Sequence, residues 1–211
     1  MNAPRRLYRI ALVVAGLSPV PAGAQLFTQV GPLAKLGAPV ALDTTGMFQS
    51  KFARVGDDVF IAGQPSQQGL REMRAQGVTT VVNLRTPEEM ARIGFDEPAL
   101  IGELGVDYVF LPVRGSTAYP YAPETVTRLA EALRQAKGKV LLHCTVAWRA
   151  SHLFAAYLIQ ERGVPIDTAL AYARAINLAD DRPNATGAMQ PVEEFLGRTL
   201  PTLRRAAPSD H

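Results

Sequence analysis

From residue 59 onward, short apolar runs alternate with stretches whose apolar residues return every three or four positions. Val59-Phe60-Ile61 stops at Gly63-Gln64-Pro65 and predicts a short buried strand followed by a turn. Ser66 then serves as a helix N-cap, with Leu70 and Met73 on the inward side of a helix over 67–76 that Gly77 ends. Residues 79–84 are rich in β-branched side chains and predict a second buried strand. Pro87-Glu88-Glu89 opens another helix, with proline in the first turn and acids at the positive end of the dipole. Residues 108–113 predict a strand, and 116–122 a polar and aromatic loop. From Pro123, Val126, Leu129, Ala130 and Leu133 recur at helical spacing until Gly138. Val140-Leu141-Leu142 is a further apolar run that leads into His143-Cys144. Beyond Arg149 the pattern turns helical, with Leu153, Phe154, Tyr157 and Leu158 on one side, and a last helix covers 167–176.

This alternation predicts an α/β fold, a three-layer sandwich whose central sheet of four to five strands is mostly parallel and covered on both faces. Residues 25–52, punctuated by Gly31-Pro32 and Gly37-Ala38-Pro39, read as an irregular arm. The folded domain is expected over 53–200 and a flexible tail over 201–211. No internal repeat is present.

Composition agrees with one folded domain, since 47% of the 211 residues are hydrophobic and 19% charged. The formal net charge of +3 is not spread over the chain. Residues 1–24 hold Arg5, Arg6 and Arg9 and no acid, so the remainder balances 19 basic against 19 acidic residues. A neutral body argues against a nucleic-acid groove held by bulk charge. The N-terminus itself reads as a secretory signal: three arginines, an apolar run over 10–17, Pro19 and Pro21, then Ala22-Gly23-Ala24 at the cleavage positions. It predicts cleavage after Ala24, a periplasmic or secreted protein, and no integral membrane span after cleavage. The apolar run is far below the ~20 residues of a span.

Cys144 is the only cysteine. It falls where an apolar strand meets a helix, at the carboxyl edge where sheets of this kind bind ligands. Arg149 follows five positions later. The backbone of Thr145, Val146, Ala147 and Trp148 between them can form an anion-binding nest, helped by the helix dipole, and that field favours thiolate over thiol. A guanidinium can hold two oxygens of a phosphoryl group at once. From spacing alone this reading stands level with a blander one, in which Cys144 ends a buried strand and Arg149 begins a surface helix.

The segment His143-Cys144-Thr145-Val146-Ala147-Trp148-Arg149-Ala150-Ser151 resembles the signature loop of cysteine-dependent phosphatases. Gly63-Gln64-Pro65, Asn83-Leu84-Arg85, Leu111-Pro112-Val113 and the alanine-rich stretch 169–175 resemble, in that order, the beta-lactamase-hydrolase-like branch of the dual-specificity phosphatases. The likeness covers roughly residues 52–197. It implies that Cys144 attacks phosphorus to form a phosphocysteine. Arg149 and the amides of residues 145–149 would hold the equatorial oxygens, and His143 would orient the nucleophile. Gln64 and Arg85, which end strands on the same sheet edge, would line the pocket.

The loop departs from the common pattern of the superfamily. Four residues separate Cys144 from Arg149 where most members have five, a spacing shared with rhodanese-like sulfurtransferases. The loop has no glycine, and Val146 resists unusual backbone angles. Ala150 stands where a hydroxyl often follows the arginine. For the general acid, residues 114–123 offer no carboxylate, which leaves Glu124, Asp180 and Asp181 as candidates. Tyr119 and Tyr121 could shape a pocket for an aryl phosphate or pack the loop. His143, His152 and His211 have no metal-ligand spacing, no cofactor motif is present, and His152 is expected as a partly exposed helix residue. The expected activity is therefore hydrolysis of phosphotyrosine-like or small phosphoesters, with a phosphorylated protein or small phosphoester as partner. A rhodanese-like sulfurtransferase and a catalytically weak oxyanion-binding module are the alternatives.

Overall fold

Neighbouring residues along the central strands are buried on opposite faces of one sheet. Val59, Ile61, Val82, Val140 and Leu142 belong to one apolar core, while Phe60, Val81 and Leu141 belong to a second. This period of two, with both faces apolar, requires a helical layer on each side. The computed structural model describes residues 37–178 and 190–200. The predicted signal peptide, the tail and the pair Asp180 and Asp181 lie outside the described residues.

The strands are β1 (Val40–Ala41), β2 (Phe52–Val55), β3 (Val59–Ala62), β4 (Val78–Asn83), β5 (Asp107–Phe110) and β6 (Lys139–His143), in spatial order β1-β2-β3-β6-β4-β5. The pairs β3–β6, β6–β4 and β4–β5 are parallel, and β1–β2 and β2–β3 antiparallel. The sheet thus has six strands rather than the expected four to five, because β2 pairs with β3 and β1, from the arm, pairs with β2. Phe48 and Phe52, 4.1 Å apart between ring centroids, are buried in the second core, which anchors the arm against β3. The two-residue β1 has exposed side chains and no hydrophobic alternation, which is why the sequence pattern passes over it.

The helices are α1 (Gln67–Ala75), α2 (Pro87–Met90), α3 (Glu97–Glu103), α4 (Pro123–Gln135), α5 (Trp148–Arg162), α6 (Ile166–Ile176) and α7 (Gln190–Leu196). Ser66 caps α1 by accepting from the Gly69 amide at 3.1 Å, as its sequence predicts. The helix α2 is a single turn closed by a capping box between Thr86 and Glu89. The helix α3, capped by Asp96, is missing from the apolar pattern because Glu97, in its first turn, is fully buried. The two helices α1 and α3 cover the second core, and α4, α5, α6 and α7 the first.

The central helix α5 is buried along Arg149–Ile159 on all sides, not on one stripe, because it lies between the sheet and α4, α6 and α7. That corrects the expectation for His152, which is fully buried. Its Nδ1 lies 2.7 Å from the Trp148 carbonyl, and its ring packs 4.0 Å from the indole. Among the described residues, no helix is long and apolar enough to cross a membrane.

Candidate active site

Strand register assembles the site. Ala62 and Asn83 both pair with His143, so the carboxyl ends of β3, β4 and β6 finish side by side. Beyond them the Cys144 amide donates to Ala62 O at 3.3 Å and the Leu84 amide to His143 O at 3.0 Å. Gln64, Arg85 and Cys144 therefore meet at one sheet edge although they are up to eighty residues apart in sequence. Gly63 has to be glycine here. A Cβ on it would strike the backbone carbonyl of Gln49 and lie 2.9 Å from Thr145 O.

The Cys144–Arg149 loop leaves β6 and enters α5. Val146 bridges to Gly63, the Gln64 amide donates to Thr145 O at 3.0 Å, and Asn177 Nδ2 donates to Val146 O. The turn into α5 needs one left-handed residue, and that residue is Ala147 (φ 66°) rather than Val146. Alanine is the smallest side chain after glycine, and its methyl is fully buried in the first core. Cys144, at 1% exposure, sits at the foot of the loop.

Arg149 is engaged more completely than its sequence position suggests. Its Nη1 donates to Glu89 Oε2 at 2.8 Å, Val113 O at 2.8 Å and Leu84 O at 3.2 Å. Its Nη2 donates to Glu89 Oε1 at 2.8 Å and Thr145 Oγ1 at 2.9 Å. Expected as an open clamp, Arg149 has its whole terminal fork on protein oxygens, and only Nε makes no hydrogen bond among the described residues. Glu89, read from sequence as a dipole acid, is the centre of this arrangement. Thr145 Oγ1 donates to it at 3.1 Å, Arg114 Nη1 at 3.0 Å, and the Thr86 amide at 2.9 Å. Partial burial pushes its carboxyl upward. The Arg149 hydrogen bonds, the Thr86 amide and the Arg149 charge prevail and hold it down at about 2.

Beneath the loop lies a second carboxylate that sequence reasoning missed. Glu97, on α3, is fully buried and meets His143 Nε2 at 3.1 Å, Gln64 Nε2 at 2.6 Å and Asn83 Nδ2 at 2.9 Å. Burial works against its charge, but the electrostatic pull of His143 and the three hydrogen bonds keep it below the usual carboxylate range. His143 is thus fixed by Glu97. Its burial beside a motif of apolar residues gave no sequence signal for that partner.

Gln64 uses its whole carboxamide within the protein: Nε2 also donates to Pro65 O at 3.0 Å, and Oε1 accepts from Arg85 Nη1. It therefore fixes the orientation of Arg85. Arg85 Nη2 donates to Glu89 O at 3.0 Å, while its buried Nε has no partner. Glu124 is exposed in the first turn of α4 and makes no ion pair or hydrogen bond through its side chain among the described residues. Tyr121 packs on Phe195 of α7, 5.0 Å between centroids, and Tyr119 OH reaches Glu88 Oε1 at 3.5 Å, so both hold the 114–123 loop.

A cleft of about 850 Å³ opens beside the loop. Gln64, Arg85 and Thr145 line it, whereas Cys144 and Arg149 do not.

The family model described as DSP-PTPase phosphatase fused to NAD+ kinase matches residues 43–189. The beta-lactamase hydrolase-like protein of Agrobacterium fabrum is 31% identical over 106 residues, which are 49% of this chain and 24% of that protein. The chain therefore spans about a quarter of the length of this curated relative. A DUF442 protein of Shewanella putrefaciens CN-32 superimposes with a TM-score of 0.52 at 26% identity, covering 71% of this chain and 94% of that one. Tk-PTP in its active form shares the fold, with a TM-score of 0.50 at 22% identity over 67% of this chain and 93% of that one.

Proposed function

We propose that this chain, which belongs to the family of DSP-PTPase phosphatases fused to NAD+ kinase, hydrolyses phosphate monoesters through a phosphocysteine formed on Cys144. It is an enzyme of the phosphatase class, and the beta-lactamase-hydrolase-like branch that its motifs resemble is supported by the Agrobacterium relative. The observation that carries the cysteine mechanism is the seat of Cys144 between the ends of β3 and β4, with Arg149 fixed in the first turn of α5.

In the first step Cys144 Sγ forms a bond to phosphorus, the ester P–O bond breaks, and the alcohol oxygen leaves with the bonding pair. In the second, water attacks phosphorus and gives up a proton to the base left by the acid of the first step or to solvent, the P–S bond breaks with its pair returning to Cys144 as thiolate, and inorganic phosphate departs. The loop amides and the Arg149 Nε edge bear the oxygens as charge builds on them. The Thr145 hydroxyl has to yield its place on Nη2 if that nitrogen is to join Nε on the phosphoryl group. Glu89, ionised and paired, has no proton to give near neutral pH. Glu124 makes no hydrogen bond or ion pair with the loop among the described residues, and Asp180 or Asp181 is the proposed donor. Where neither serves, phenolate leaving groups suit the site, which favours phosphotyrosine-like substrates. We place the protein in the periplasm or outside the cell, on the strength of the arginines and apolar run before Ala24. The mass of the mature chain checks the cleavage.

The test is para-nitrophenyl phosphate hydrolysis, with thiosulfate-to-cyanide sulfur transfer assayed alongside. Cys144→Ser is expected to bring hydrolysis to background, and Arg149→Ala to lower kcat/KM by about 10²–10³-fold. Hydrolysis that survives Cys144→Ser refutes the nucleophile. Sulfur transfer without hydrolysis transfers the loop to persulfide chemistry.

A further inference from the structure

The cleft beside the loop has a basic lining. Its fifteen lining residues include Arg85 and Arg92 and no aspartate or glutamate, within a chain whose body balances its charges. Arg92 is exposed, and its side chain has no partner among the described residues. Arg85 is 7% exposed. Two of its five N–H groups are taken by Gln64 Oε1 and Glu89 O, and Nε is buried without an acceptor. Gln64 cannot turn away from Arg85, because Glu97 and Pro65 O hold its amide nitrogen. The guanidinium is therefore presented in a fixed orientation with donors to spare, an arrangement suited to an oxyanion. Gln67 and Gln68, which open α1, add first-turn amides that have no intrahelical acceptor.

Part of the lining is apolar. Met47, Ile93 and Phe95 are half-buried and face the same space. A volume of about 850 Å³ matches a small organic ligand rather than a protein surface. Thr145 belongs to both this cleft and the Cys144–Arg149 loop, so one ligand can occupy both.

We propose that the substrate is a small phosphoester carrying a second anionic group, phosphate or carboxylate, that binds between Arg85 and Arg92 while the reacting phosphoryl group enters the Cys144 loop. The apolar part of the lining takes the carbon skeleton between the two charges. This proposal rests on the phosphatase reading and narrows its substrate class.

The test uses the full chain carrying Cys144→Ser, so that binding is read without turnover. Calorimetry compares butyl and hexyl phosphate with 1,4-butanediol and 1,6-hexanediol bisphosphate, and with the matching ω-phosphono-oxy carboxylates. At least one probe with two anionic groups is expected to bind about tenfold more tightly than its counterpart with one. Two identical phosphates give only about twofold by statistics. Arg92→Ala, added to the same chain, is expected to cut that ratio to about threefold or less, and Arg92→Lys to keep part of it. Monophosphate binding with no second-anion advantage, or an advantage that Arg92→Ala leaves intact, overturns the proposal and spares the phosphatase reading. No binding of any phosphate by the folded protein overturns both. The bisphosphate and carboxylate arms tell which second anion the cleft takes.

Discussion

Glu89 grips Arg149 with both carboxylate oxygens, Oε2 on Nη1 and Oε1 on Nη2, each at 2.8 Å. The one-turn helix α2 carries Glu89 to that place, and its capping box lends the Thr86 amide to the same carboxylate. One side chain thereby ties α2, the loop hydroxyl of Thr145, the exposed Arg114 and the central helix together. Its role is that of a positioning residue: it fixes the guanidinium before any oxyanion arrives.

Glu89→Gln keeps the shape but loses the charge and one acceptor oxygen. With the fork no longer fixed, we expect kcat/KM for para-nitrophenyl phosphate to fall by about 10²-fold, the scale set by misplacing a positioned group. The loss of charged hydrogen bonds should lower stability by about 2 kcal/mol. Glu89→Asp is expected to recover stability better than activity, because the shorter arm pairs with Arg149 in a different position. Steady-state kinetics and urea unfolding on the same preparations separate the two effects. Equal activity in Glu89→Gln and the parent protein would refute the positioning role.

The same carboxylates set the acid limit of the fold. Glu89 is depressed from an ordinary 4.5 to about 2, and Glu97 is depressed as well. A carboxyl whose folded value lies below its unfolded one contributes stability that is fully present above the unfolded value. That stability drains away as pH falls toward the folded value. Thermal midpoints should therefore be flat from neutral pH down to about 5. They should then fall steeply between 4.5 and about 2. In Glu89→Gln the midpoint at neutral pH should be lower and the acid slope shallower. An unchanged slope would mean that Glu89 does not titrate as described.

Much of this site is legible in the sequence, and what is hidden has a common cause. Cys144, Arg149 and the Gly63-Gln64-Pro65 turn announce themselves through an apolar run that ends in chemistry. Register then brings Arg85 beside them, because parallel strands that begin together end together. Glu89 and Glu97 are hidden because the partners that matter most, Arg149 and His143, are sixty and forty-six residues away. Nothing local distinguishes Glu89 from a helix-dipole acid. Glu97 sits in a polar stretch, and its full burial is decided by His143, Gln64 and Asn83 converging from three strand ends. Strand β1 was hidden for a different reason: it has two exposed residues, and its contribution is backbone pairing, which leaves no mark on the apolar pattern.

Gly63→Ala tests whether the first turn of the motif is steric. The new methyl would overlap the Gln49 carbonyl and press on Thr145 O, both backbone atoms that cannot rotate aside. We expect a stability loss of about 3 kcal/mol or more, since overpacking against backbone lies at the upper end of such costs. Activity should drop in parallel, as the Thr145 carbonyl is displaced with the loop. Gly102→Ala is the control. A Cβ there, within α3, meets nothing, so helix propensity alone should stabilise by up to about 1 kcal/mol. A tolerated Gly63→Ala would show that the loop and the Gln49 segment can separate.

Ala147 decides how a loop without glycine reaches its shape. Its φ of 66° costs an L-residue about 1–2 kcal/mol, which Ala147→Gly would relieve. Against that relief stand the buried methyl, about 0.8 kcal/mol, and the larger unfolded-state entropy of glycine, about 0.5–1 kcal/mol. The terms nearly cancel, so Ala147→Gly should leave stability within about 1 kcal/mol of the parent. Ala147→Val has no such compensation. It adds two methyls to a fully buried position and places a β-branched residue in the left-handed region, so a loss beyond about 2 kcal/mol is expected. Urea unfolding of both variants checks the pair. If Val is tolerated as well as Gly, the backbone at 147 is not left-handed in solution, and the loop must form its oxyanion seat in another way.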